Sequence, residues 1–328
     1  MSAPSAVAST KTPVDDCPFN DPASGDFIIR TPSRKKFYVD RSIIANASPI
    51  FRDMFSLPPC SSDGEKPVVD VTESSTVWRL LLQFCYLRTD EPLLPLAMIR
   101  ILLEAAKKYQ MAAVKTWMQR TLSRPDYVHY SVALRTYAIA CAYGLPDVAR
   151  LAARGYRKAF DDKEQQGEEL DLISARQYKH LLDYHERCCA AAQTAISDIF
   201  KLASVPTWLL EHKTLLSGCN ECRGKGKDIK QIRDATGSKV VMYIRPAWTK
   251  YFTTLELMMR DQPDPSYARE TCFLNSTIRA AGQCGNCSKA ILTKMNTFTK
   301  EVPWRVSSRQ LSLRDCAEDS VWKREAPF

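Results

Sequence analysis

Glycine and long apolar runs are scarce in this sequence, and each scarcity excludes a class of protein. Only 11 of the 328 residues are glycine, so long low-complexity linkers are not expected. No run approaches the roughly 18 consecutive apolar residues of a membrane-spanning helix, so we expect no integral membrane segment. The N-terminus has neither a charged start nor an apolar block of signal-peptide length. We therefore expect an intracellular protein, in the nucleus or the cytoplasm.

Motifs of common active sites are also missing. The chain has four histidines, but no His-Glu-x-x-His motif frames them, and the Gly-x-Ser-x-Gly elbow is absent. Arg223-Gly-Lys-Gly-Lys227 lacks the spacing and the Ser or Thr of a phosphate-binding P-loop. The sequence therefore predicts a protein that is not an enzyme.

The composition that is present is that of a globular protein with a basic C-terminal part. Hydrophobic residues make up 45% and charged residues 25% of the chain, and the length allows roughly two domains. The net charge is +9, and from Lys201 onward 21 Lys and Arg stand against 13 Asp and Glu. The positive excess therefore belongs almost wholly to the C-terminal part, which permits an acidic partner there.

Order is expected to begin after the first 25 residues. Residues 1–25 are rich in Ala, Ser, Thr and Pro without a hydrophobic period, which predicts a disordered lead. From Asp26 onward, β-prone runs begin at Phe27, Phe37 and Val68, which predicts three short strands.

Helix signals alternate with these runs. Ser48-Pro49 combines a capping Ser with Pro at the first helical position, which predicts a helix start. Apolar residues at helical spacing predict three further helices between Val77 and Leu122. The order strand–strand–helix–helix–strand–helix–helix–helix predicts an α+β domain over residues 26–122.

The remaining chain is expected to be mainly helical. Two apolar stripes on either side of Gly144-Leu-Pro-Asp147 predict a helical hairpin, which forms a helical extension over residues 126–160. The polar stretch 161–170 predicts a linker. Residues 171–328 predict a C-terminal α+β region in which helices flank a strand at Val240.

One segment carries a resemblance to a known family. Phe37-Tyr-Val-Asp-Arg-Ser-Ile-Ile-Ala-Asn-Ala-Ser-Pro-Ile-Phe-Arg-Asp-Met-Phe55 resembles the core signature of the BTB/POZ family. Asp26 before its strand is similar to the family's opening, and Leu81-Leu-Gln-Phe-Cys-Tyr86 lies where the family has a buried helix. The resemblance covers about residues 26–122, and the arrangement is similar to fungal BTB-domain proteins.

The resemblance implies a protein–protein interaction module that forms homodimers and acts as an adaptor or scaffold. Two stretches depart from the family's pattern. Asp40-Arg41 stands where the family usually has His-Lys. Members that recruit a cullin scaffold carry a hydrophobic residue, any residue and Glu soon after Met-Phe, and Ser56-Leu-Pro-Pro-Cys-Ser-Ser-Asp-Gly-Glu65 lacks that triplet. A cullin ubiquitin-ligase substrate adaptor is therefore kept as an alternative.

Two cysteine pairs have the spacing of metal ligands. Cys219-Asn-Glu-Cys222 and Cys284-Gly-Asn-Cys287 each separate their cysteines by two residues, which lets both sulfurs face one tetrahedral zinc ion. The pairs lie 61 residues apart, so the site would join distant segments. The sequence predicts a structural Zn²⁺ held by Cys219, Cys222, Cys284 and Cys287.

Reduced thiols and disulfides are the alternatives to zinc. His212 and Cys272 are reserve ligands if the two pairs do not meet. Cys188-Cys189 lie within a predicted helix and point in different directions, so we expect them to be inert. A thioredoxin-like role would need a pair that follows a strand and starts a helix, and neither pair has that context.

A basic cluster suggests a second alternative function. Arg223, Lys225, Lys227, Lys230 and Arg233 follow the first cysteine pair, and a basic patch beside zinc can hold phosphates. A zinc-containing nucleic-acid-binding regulator is therefore kept as an alternative. Against it, the Cys-x₂₋₄-Cys-x₁₂-His-x₃₋₅-His finger is missing, and a basic loop is most often a solvated surface.

Overall fold

Two units make up the chain, one that ends at Arg124 and one that begins at Pro125. The structure is a computed structural model. It describes residues 17–57, 66–86, 93–156, 167–201, 213–219, 221, 228–233 and 239–312. None of the helices in these ranges is long and apolar enough to cross a membrane.

The first unit is an α+β domain, as the sequence predicts. Its strands form a three-stranded sheet in the order β2–β1–β3, with β2 antiparallel and β3 parallel to the central β1. Ile29 of β1 lies opposite Phe37 and Val69 in the two pairings. Its elements are β1 (Phe27–Arg30), β2 (Lys36–Val39), α1 (Arg41–Ala47), α2 (Pro49–Phe55), β3 (Val68–Asp70), α3 (Ser75–Cys85), α4 (Leu96–Lys108) and α5 (Ala112–Leu122).

The start of α2 shows why the local sequence folds as it does. The Ser48 hydroxyl accepts a hydrogen bond from the Phe51 backbone N–H at 3.3 Å, and Pro49 occupies the first helical position. The same hydroxyl donates to the Tyr109 carbonyl at 2.5 Å, which links the cap to the end of α4. The predicted helix start is confirmed.

Aromatic side chains fill the core of this unit. Phe27, Phe51 and Trp78 are fully buried, and the Phe51 and Trp78 rings meet edge to face with centroids 5.9 Å apart. Cys17 and Phe19 are also buried, although they lie before Asp26, where the sequence predicts that the domain begins. Truncating a buried Phe or Trp to Ala typically costs about 3–5 kcal/mol.

A partly buried carboxylate joins the start of α3 to the end of α4. Glu73 accepts hydrogen bonds from the Tyr109 hydroxyl at 2.7 Å and from Lys108 Nζ at 2.8 Å. The Trp78 indole N–H donates to it at 3.3 Å. Burial alone would raise the pKa of Glu73, but the hydrogen bonds from Lys108 and Tyr109 outweigh it and lower that pKa from 4.5 to about 2.

We expect Glu73→Gln to lower the free energy of unfolding at neutral pH by about 1–3 kcal/mol. Because the pKa is lowered in the folded state, the ionised carboxylate stabilises the protein above pH 4.5, and this contribution is lost as the pH falls towards 2. Urea unfolding at several pH values measures this, with Asp53→Asn, an exposed carboxylate of α2, as the control. Equal acid sensitivity of the wild type and Glu73→Gln would contradict the prediction.

The second unit is mainly helical, with one antiparallel hairpin of β4 and β5. Gly144, at φ +61°, ends α7, and Pro146 opens α8, so the predicted helical hairpin forms. The elements are α6 (Pro125–Val128), α7 (Ala133–Ala142), α8 (Pro146–Gly155), a 3₁₀ helix (Glu168–Leu172), α9 (Ala175–Lys201), α10 (Lys213–Ser217), β4 (Asp228–Arg233), β5 (Lys239–Ile244), α11 (Pro246–Asp261), a second 3₁₀ helix (Pro265–Arg269), α12 (Thr271–Ala281) and α13 (Gly285–Ser312).

The C-terminal part of this unit has an apolar core of its own. Trp248, Tyr251 and Phe252 of α11 surround Phe298 of α13, with ring centroids 5.2–6.3 Å from it. Ile196 of α9 belongs to the same buried cluster. This core holds in place the helices that border the predicted cysteine site.

Candidate metal centre and interaction domain

Three of the four predicted cysteine ligands come from two segments of the second unit. Cys219 follows α10, directly after Gly218, whose φ of +84° is a conformation that favours glycine. Cys284 precedes α13, and Cys287 lies in its first turn. A short turn and a helix start therefore bring the two cysteine motifs together.

The three sulfurs lie close enough together to hold one metal ion. All three Sγ atoms lie within 4.8 Å of one another, and those of Cys219 and Cys284 are 3.7 Å apart. Two sulfurs at the Zn–S distance of about 2.3 Å in a tetrahedron lie about 3.8 Å apart. A disulfide requires a separation of about 2.05 Å, and all three residues are free cysteines. The three residues can bind a metal ion.

Hydrogen-bond donors also surround this cluster. The backbone N–H of Cys219 donates to Cys287 Sγ at 3.3 Å, and the guanidinium of Arg245 donates to the same sulfur. Cys287 is only 3% exposed. Donors of this kind orient the ligands of a metal site.

Arg245 is a member of the site that sequence reasoning missed. Its guanidinium also donates to the carbonyl of Ala281 at the end of α12, and its backbone N–H donates to the Leu216 carbonyl at 3.1 Å. A Cβ on Gly218 would lie 2.6–3.0 Å from the guanidinium, so a larger residue there would displace the arginine side chain. The sequence offered no signal beyond the position of Arg245 before a helix-opening proline.

The other cysteine and histidine candidates divide into three groups. Cys222 and His212 lie outside the described residues, and Cys272 lies in α12 with its side chain outside them. Cys188 and Cys189 are buried in α9. Gly285, between Cys284 and Cys287, has no positive φ, whereas Gly218 before Cys219 has one.

The structure leaves two predicted features open. The basic stretch 223–227 lies outside the described residues, and Lys230 and Arg233 lie in β4 with their side chains also outside them. Residues 58–65, where a cullin-binding triplet would be sought, are outside them as well. The nucleic-acid and cullin alternatives therefore remain untested predictions.

The departure at Asp40-Arg41 in the first unit has a structural explanation. Asp40 accepts a hydrogen bond from the Tyr86 hydroxyl at 3.1 Å, and its backbone N–H donates to that hydroxyl at 2.8 Å. Burial, with the Asp40 charge beside it, raises the pKa of Tyr86 to about 12. Arg41 pairs with Asp26 and lies over the Phe27 ring. Asp40 and Arg41 therefore each interact with a partner inside the domain, Tyr86 and Asp26 respectively.

Several large apolar side chains remain exposed on the first unit. Leu57 has 68% of its surface exposed, and Leu93 has 62%. The set in this unit is Ile50, Leu57, Val68, Leu93 and Ile101. Only a contiguous apolar patch indicates an interaction site, because apolar side chains that are exposed singly are common on protein surfaces.

The order of strands and helices in the first unit is that of an α+β domain. Residues 19–125 match the family model of the BTB/POZ domain, so this part of the chain is similar to that family. The match covers about a third of the chain and confirms the resemblance in the sequence. It extends the predicted range of 26–122 at both ends. A search of curated proteins gives no match to the chain.

Proposed function

We propose that this protein is a self-associating interaction module that acts as an adaptor or scaffold, with no catalytic role. The observation that carries this proposal is the BTB/POZ domain at residues 19–125, because domains of this family bind other proteins. The exposed Leu57 and Leu93 supply apolar surface that a second copy can bury. The second unit then presents its own surface to a different protein.

We expect light scattering on the full chain to show a dimer that dissociates on dilution. Leu57→Glu should raise the dimer dissociation constant at least tenfold, about 1.4 kcal/mol. The reason is that it places a charge at an apolar position that the proposed dimer buries. Lys107→Glu, at an exposed position of α4, is the control and should leave the constant within about threefold. A wild-type mass of one chain at all concentrations would contradict self-association.

We also propose that one structural Zn²⁺ joins the segments of the second unit. Cys219, Cys284 and Cys287 supply three thiolates, and Cys222 is the fourth ligand by its spacing from Cys219. Support comes from the 3.7 Å separation of two sulfurs and from the donors that point at Cys287. Tetrahedral thiolate sets select zinc over the hard cations calcium and magnesium, which prefer oxygen ligands.

A further inference from the structure

We infer that Arg245 is a positioning residue of the zinc site, which holds the ligand-bearing segments together and offsets the charge of the thiolates. The inference rests on the zinc proposal and adds to it a residue outside the two cysteine motifs. The observation behind it is that one guanidinium donates to Cys287 Sγ and to the Ala281 carbonyl and lies beside Gly218, where it occupies the space that a Cβ would take.

Charge is the first argument for this role. The thiolates of Cys219, Cys284 and Cys287 with one Zn²⁺ carry a net charge of about −1, and Cys287 is almost completely buried. A buried net charge is costly without a partner of opposite sign. The guanidinium of arginine is a cation, and the hydrogen bond of Arg245 to Cys287 Sγ places that positive charge directly against the site.

Geometry is the second argument. The guanidinium donates to the end of α12 before Cys284 and to Cys287 itself in α13, and it lies beside Gly218 in the turn that precedes Cys219. The planar group has several donors in a fixed arrangement, so it can serve a carbonyl and a sulfur simultaneously. One side chain thus fixes the relative positions of the two segments that carry the ligands.

Replacing Arg245 by Lys or by Met tests the contributions of its charge and of its geometry separately. Lysine keeps the positive charge but has a single flexible ammonium group, which cannot reproduce the planar contacts. Methionine keeps the apolar stem and removes both charge and donors. If both charge and geometry contribute, the zinc affinity of Arg245→Lys should lie between those of the wild type and Arg245→Met.

Competition between the full-length protein and a chromophoric chelator measures the zinc dissociation constant of each variant. We expect Arg245→Met to weaken zinc binding about 10- to 100-fold, the range for the loss of an outer-shell partner. Arg245→Lys should lose less. Arg260→Met is the matched control, because Arg260 is exposed in the last turn of α11, the helix that Arg245 precedes, and it should bind zinc as the wild type does. Substitution with Co²⁺ reports whether each variant keeps a tetrahedral thiolate site.

The outcomes separate this inference from the zinc proposal. A wild-type protein that binds no zinc overturns both. A wild-type protein that binds one zinc, with Arg245→Met and Arg245→Lys within twofold of its affinity, overturns only the role of Arg245. If circular dichroism shows that Arg245→Met does not fold, the comparison of Arg245→Lys with Arg260→Met decides. An unchanged affinity of Arg245→Lys then contradicts the positioning role.

Discussion

We expect Cys287→Ser to abolish stoichiometric zinc binding. It should also lower the stability of the second unit by at least about 3 kcal/mol, because the zinc ion is structural. The variant removes one thiolate, and it also leaves the guanidinium of Arg245 without its sulfur acceptor. Zinc peptides without other structure gain about 10–16 kcal/mol from the metal. The smaller value here reflects the aromatic core around Trp248 and Phe298, which does not depend on metal.

Elemental analysis of the purified protein and thermal unfolding with and without a chelator measure this effect. Chelator should lower the melting temperature of the wild type and leave that of Cys287→Ser unchanged. Cys141→Ser is the control, since Cys141 lies in α7 of the same unit and outside the cluster, and it should keep its zinc. The account is wrong if Cys287→Ser binds one zinc per chain with wild-type affinity.

Arg135→Ala should lower the free energy of unfolding by about 3 kcal/mol, near the lower end of the range for breaking a buried ion pair. Arg135 donates two hydrogen bonds of 2.8 Å to the carboxylate of Glu169, and this pair joins α7 to the first 3₁₀ helix. Glu169 is only 3% exposed, whereas Arg135 is 28% exposed. The variant therefore removes the guanidinium that binds this buried carboxylate.

Arg150→Ala provides the matched comparison. Arg150 also pairs with a carboxylate in the second unit, Asp147, at 2.7 Å, but both side chains are exposed. Exposed pairs contribute about 0–1 kcal/mol, so this variant should unfold at nearly the wild-type urea concentration. Equal destabilisation by the two variants would show that burial of Glu169 does not set the energy of its pair.

Local patterns in the sequence were sufficient for most of the N-terminal domain. Ser48-Pro49 and the apolar stripe of α3 each depend on neighbours close in sequence, and both elements form as predicted. The α+β class followed from their order, and the family match confirms it. Helices and strands with a regular period can be predicted because the period itself reports which face is buried.

The sequence interpretation missed β4 and α12, the first because its period is weak. In β4, Ile229 and Ile232 are three residues apart and do not show the two-residue alternation of a strand. The apolar face of α12 is visible in Leu274, Ile278 and Ala281, which follow helical spacing, so this helix could have been found.

Contacts between residues distant in sequence account for the rest. The spacing of two cysteines predicts a metal ligand pair, and the structure brings Cys219 and Cys284 together across the chain. No local pattern indicates that Arg245 contacts Cys287 or that Arg135 pairs with Glu169. Such partners depend on the packing of whole helices, which a sequence period does not encode.

Native mass spectrometry of the full-length protein tests the central claim most directly, because one spectrum gives both the number of chains and the number of bound metal ions. We predict a dimer that carries two zinc ions, one for each four-cysteine site, and that loses both ions when Cys287 is serine. A monomer without metal would contradict both the self-association of the BTB/POZ domain and the zinc site.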